Sequence, residues 1–179
     1  MFKAADDAKN MLASGYTTVK DCAGRNAPFL KQAVKEGVLT GLPRIVAACC
    51  VLSQTGGPQD QASKAGKSRD ARENDEAEFL ICDGVDECIK AARYSLRLGA
   101  DFIKVFASMS FWNADHDSPS GVTFSMDEME AFVKTAAQVG KFVTVHSQNR
   151  HSSKIAILAG VKTIDHASGS DDEVVSLGK

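Results

Sequence analysis

The chain has 179 residues, is 44% hydrophobic and 25% charged, and carries a net charge of -2. That is about one domain's length with an ordinary globular composition. The weak negative balance leaves no footprint for nucleic acid or an anionic membrane. No apolar run approaches the roughly 20 residues that span a bilayer.

The N-terminus, Met1-Phe2-Lys3-Ala4-Ala5-Asp6-Asp7, has early acids and no apolar stretch, so no signal peptide is expected. It opens directly into a helix pattern, as the edge of a truncation would. Five cysteines, Cys22, Cys49, Cys50, Cys82 and Cys88, form no Cys-x-x-Cys pair. An odd count lying mostly in apolar runs reads as buried, reduced thiols, which favours a cytoplasmic location.

In chain order, Ala4, Ala8, Met11 and Leu12 share a helical stripe that Gly15 closes. Residues 16–21 then read as a strand ending on Asp21. After a turn, Pro28 suits a helix's first turn, and Phe29, Leu30, Ala33 and Val34 give that helix its apolar face. Residues 43–52 form one continuous apolar run, as expected for a strand buried on both faces. Residues 53–83 are polar, charged and Gly-rich, a long loop or insertion that is either a lid or a solvated excursion.

Order returns at Asp83, a good N-cap, and Val85, Cys88, Ile89, Ala92 and Leu96 follow helical spacing up to Gly99. The strand 101–107 carries Lys104 in its middle. A second loop, 107–121, holds Trp112, Asp115, His116 and Asp117. Ser125-Met126-Asp127-Glu128 is a capping box, and Met129, Phe132, Val133 and Ala136 form the buried stripe behind it. A strand over 141–146 ends on His146, a short helix covers 152–159, and a strand over 162–166 ends on His166. One more helix starts at Asp171.

Helix, glycine, β-branched strand: this unit repeats along the chain. It predicts an α/β fold with a parallel sheet covered by helices, in a single domain over 1–179. Function in such sheets collects where strands end, and Lys104, His146 and His166 stand at or near three such ends. A lysine between Ile103 and Val105 needs its charge compensated or removed. Its head either reaches a carboxylate or solvent at the rim, or is an amine of depressed pKa that forms a Schiff base or takes up carbon dioxide as a carbamate. Two neutral imidazoles on successive strands suit zinc or a similar divalent ion. His116 and His151 read as loop and helix-start residues.

Several runs, taken together, carry a resemblance. They are Gly15-Tyr16-Thr17-Thr18-Val19-Lys20-Asp21, Ser53-Gln54-Thr55-Gly56-Gly57, Asp83-Gly84-Val85-Asp86-Glu87, Leu98 to Lys104, Val145-His146, and Ala159 to His166. Their order and spacing resemble the amidohydrolase superfamily. The nearest branch is the imidazolonepropionase-related one, with Xaa-Pro dipeptidases and ochratoxin-hydrolysing enzymes.

The resemblance implies a (β/α)₈, or TIM, barrel with two divalent metal ions, zinc by expectation. Lys104 would be a carboxylated lysine bridging them, with His146 and His166 as ligands of the second. The implied reaction is hydrolysis of an amide or peptide-like C–N bond, in a dipeptide or N-acyl amino acid, by a metal-activated hydroxide. The family's His-x-His pair and its catalytic aspartate match nothing here, so no catalytic residue is identifiable. The match corresponds to strands two to six of a barrel, and the chain alone is expected to be inactive or weak. Pro58-Gln59-Asp60 stands where the family has His-Gly-Asp, and Ser108-Met109-Ser110 where it has Ser-Gly-Gly.

Two other readings belong to different classes. One is a non-catalytic remnant that binds a partner, since the unpaired edges of an open sheet offer a route to homo-oligomers. The other is a Schiff-base lyase using Lys104, which leaves both histidines idle. No Gly-x-Gly-x-x-Gly follows a strand, which argues against a dinucleotide fold.

Overall fold

A computed structural model describes residues 2–60, 79–110 and 121–179. The predicted loop residues Trp112, Asp115, His116 and Asp117 lie outside them, as does most of the predicted insertion. Among the described residues, helices and strands take turns except for one run of three successive strands. In order they are α1 (Phe2–Ala13), β1 (Thr18–Asp21), α2 (Ala27–Lys35), β2 (Arg44–Ala47), β3 (Val51–Ser53), β4 (Phe79–Ile81), α3 (Gly84–Arg97) and β5 (Phe102–Phe106). Then follow α4 (Met126–Ala137), β6 (Phe142–Ser147), α5 (Arg150–Leu158), β7 (Thr163–His166) and α6 (Asp172–Leu177).

The named strands pair in parallel, as two sheets: β1-β2, and β4-β3-β5-β6-β7. The expected strand over 43–52 is therefore two strands. Its chain turns at Ala48-Cys49-Cys50, where Cys49 takes a φ of 69°. The half before the turn pairs with β1, and the half after it pairs with β4 and β5. All three turn residues are buried, so periodicity and hydropathy gave no sign of the break. Phe79–Ile81, placed by the sequence reading in the long loop, forms β4 instead and pairs with all of β3.

Asp101 joins the sheets across this corner. Its N–H donates to the Ala47 carbonyl at 2.7 Å, and its carboxylate accepts from Ala47 N–H at 3.0 Å and from Lys31 Nζ at 2.5 Å. Helix boundaries follow local chemistry. Ser125 and Glu128 make the expected capping box on α4. Asp83 occupies the N-cap of α3, but its carboxylate takes the N–H and hydroxyl of Thr55, at 3.0 and 2.6 Å. At Gly140 and Gly160 the chain leaves α4 and α5 with φ of 67° and 87°. Those left-handed turns suit a residue without a Cβ and send the chain straight into the next strand.

Alternation along the strands divides the molecule into two sides. Leu52, Ile103, Val105, Val143 and Val145 face the helices and pack with Cys88 and Ala92 of α3, Met129, Phe132 and Ala136 of α4, and Ala156 of α5. Phe124 meets Phe132 edge-on at 5.1 Å between centroids. The alternate residues, among them Lys104, Phe106 and His146, look the other way, into the cavity described next.

Candidate active site

The cavity has a volume of about 510 Å³, and Lys104, His146 and His166 all line it. Lys20, Cys22, Phe106 and Asp165 line it too, with Val51 and Phe79 as part of its apolar wall. The predicted trio therefore shares one mouth of the sheet. A volume of this size falls in the range of small-molecule sites.

Sheet register explains most of the grouping. Phe106 pairs with His146, and His146 pairs with Asp165, so the three form one lateral row across β5, β6 and β7. Lys104 lies two residues before Phe106, on the same face. His166 is the exception. It pairs with Ser147, whose hydroxyl points to the helix side and meets the Ser152 and Ser153 hydroxyls at 2.6 and 2.8 Å. Alternation alone would send His166 that way. Instead His166 and Ala167 take φ of 73° and 52°, and this left-handed step turns the imidazole back beside Asp165. Such backbone is costly for a residue with a Cβ and clusters at functional sites.

His146 is 3% exposed, and its Nε2 is buried with no hydrogen-bond partner among the described residues. Its ring lies 4.6 Å from that of Phe106 and 4.7 Å, edge-on, from that of His166. Burial, then His166 and Lys104, hold its pKa down at about 4, so at neutral pH it is an uncharged imidazole. A buried nitrogen lone pair facing a cavity is the donor a divalent ion takes.

Lys104 is buried, and its ammonium is compensated by a carboxylate, one of the alternatives the sequence left open. The partner is Asp165, through Oδ2. The other oxygen, Oδ1, accepts from Lys20 Nζ at 2.9 Å. Burial pushes the Asp165 pKa up, but the hydrogen bonds and charges of Lys104 and Lys20 outweigh it and hold the carboxyl below its ordinary range. Asp165 is thus a counter-ion between two lysines. Among the described residues, no group of three or more His, Cys, Asp or Glu side chains is drawn together in a metal-holding cluster.

Sequence reading missed Lys20 and Asp165 as members of the site. Lysine 104's need for a carboxylate was legible, but Asp21, Asp101 and Asp165 all stood near strand ends. Asp21 instead closes its own turn, accepting from the N–H groups of Ala23 and Gly24 at 3.2 and 2.5 Å. Asp101 is spent on the sheet corner. His151 lies exposed in the first turn of α5, away from the cavity.

A parallel sheet backed by helices, with titratable groups gathered toward its carboxyl edge, is an α/β architecture of the kind from which (β/α) barrels are built. Residues 2–177 match the amidohydrolase family, and the chain belongs to it. Ochratoxinase of Aspergillus niger is 34% identical over 177 residues, which cover 94% of this chain and 36% of that protein. The crystal structure of A. niger ochratoxinase superposes with a TM-score of 0.85 at 29% identity, over 97% of this chain and 42% of that one. A prolidase complexed with N-methylphosphonate-L-proline gives 0.86 at 29% identity, over 98% and 43%. A Xaa-Pro dipeptidase with methionine bound in its active site gives 0.81 at 30% identity, over 97% and 42%. The chain thus spans between about a third and a half of these relatives' lengths.

Proposed function

We propose that this cavity is the metal-holding part of an amide-cleaving centre, with His146 and His166 as ligands and Lys104 as a third once carboxylated. The substrate class is a small amide or peptide-like molecule, such as a dipeptide or N-acyl amino acid. The supporting observation is the buried, partnerless Nε2 of an uncharged His146, 4.7 Å ring to ring from a second imidazole. That donor set fits a divalent ion, zinc by the preference of nitrogen ligands. When bound, such an ion would polarise an amide carbonyl and lower the pKa of a water.

The chain's own residues have separable tasks. Burial keeps His146 deprotonated, so its lone pair is free. Phe106, packed on that ring, limits its rotation. Lys104 must exchange Asp165 for carbon dioxide before it can ligate. Asp165, held ionised by two lysines, is a poor proton donor at neutral pH. Val51, Phe79 and Phe106 offer an apolar wall that limits water. The relatives' names favour the same substrate class. Five free thiols suit a reducing compartment such as the cytoplasm.

The test is zinc stoichiometry by plasma mass spectrometry, with hydrolysis of dipeptides and N-acyl amino acids. His146→Ala, His166→Ala and Lys104→Ala should each lower bound zinc and any hydrolysis. Unchanged zinc in all three variants would refute the assignment. One observation favours a second, non-catalytic reading: the Lys104–Asp165 pair neutralises the lysine without carbon dioxide. On that reading the protein takes up no metal.

A further inference from the structure

We propose that Lys20 is a positioning residue that holds Asp165 charge-compensated while Lys104 passes from ammonium to carbamate; this rests on the role given to Lys104 above. The observation is the division of one carboxylate between two lysines. Lys104 contacts Oδ2, and Lys20 contacts Oδ1 at 2.9 Å. The lysines differ in setting. The Lys104 side chain is 5% exposed and stands in the middle of β5; that of Lys20 is 36% exposed and comes from β1, in the other sheet.

Carboxylation inverts the charge beside Asp165. The Lys104 ammonium first gives one proton to solvent. The amine's lone pair then attacks carbon dioxide, a new N–C bond forms, and one C=O electron pair moves onto oxygen. The surplus N–H proton leaves to solvent, and nothing is oxidised or reduced. A cation becomes an anion, two protons are released, and Asp165 loses its buried partner. A half-buried carboxylate next to a new anion and with no cation would oppose the step.

Lys20 removes that opposition. Its grip is independent of Lys104, because its Nζ also sits 5.2 Å over the ring of Phe102, which is itself stacked on Phe142 at 5.7 Å. Cys22 Sγ, 3.9 Å from Oδ2, is the only other group recorded on that oxygen among the described residues. A thiol carries no charge to replace the ammonium. Lys20 is therefore the cation that keeps Asp165 in place on the cavity wall.

The full chain equilibrated with ¹³C-bicarbonate tests this through the carbamate carbon resonance. Wild type should show the signal, and Lys104→Arg should abolish it and so assign it. Lys20→Met should lose most of it, Lys20→Arg should keep it, and Asp165→Asn with Lys20→Met should restore it. Circular-dichroism melts of each variant confirm the folded state, and the double variant separates charge compensation from mere support of the fold. An undiminished signal in folded Lys20→Met, or no restoration in the double variant, overturns the role of Lys20 and leaves Lys104 carboxylated. No signal in wild type overturns both.

Discussion

His146 carries the sharpest consequence of single-residue chemistry. Its folded pKa of about 4 lies below the ordinary 6.5, because burial and then the nearby His166 and Lys104 penalise the cation. Between those values the unfolded chain binds a proton that the folded chain refuses. Stability should therefore be level above about pH 6.5, fall as the pH drops toward about 4, and level off below. Asp101 and Asp165 have pKa values lowered from an ordinary 3.8, so their contributions are lost only at lower pH. Urea midpoints measured across the range should show that slope, and His146→Gln should flatten it. An unchanged slope in the variant would place the titrating group elsewhere.

At the scale of single elements, α4 is the best-specified helix. Its capping box satisfies backbone donors at both Ser125 and Glu128, so Ser125→Ala should cost about 1 kcal/mol in chemical denaturation. Phe132 on the same helix is fully buried, with Phe124 edge-on against it. Phe132→Ala should cost about 3–5 kcal/mol, the range for emptying a packed aromatic site. A loss below 1 kcal/mol would mean that the helix layer collapses onto the gap. This helix was legible in sequence because its cap, stripe and closing glycine are all local. The run over 43–52 was not. Its break lies within uninterrupted buried residues, and pairing with β1 on one side and β5 on the other decides it.

At the scale of the whole molecule, the described residues form two cores of unequal size. The larger lies between the five-stranded sheet and α3, α4 and α5; the smaller comprises Ala27, Leu30, Ile45 and Ala47, with a few partly buried neighbours. Elements with fewer buried apolar contacts open more readily. Amide hydrogen exchange should therefore be faster in β1 and β2 than in β5 and β6. Equal protection in both sheets would mean that the corner at Asp101 couples them into one cooperative unit.

The sequence by itself determined the helices and most of the parallel strands, and it named the lysine and two histidines that share the cavity. It could do so because helix caps, β-branched runs and the out-of-place Lys104 are written in neighbouring residues. Only the tertiary structure decided that Asp165 and Lys20 stand with them and that His166 turns inward. Those outcomes depend on strand register, on a side-chain contact between residues 145 positions apart and on one left-handed step at a strand end, none of which leaves a local pattern.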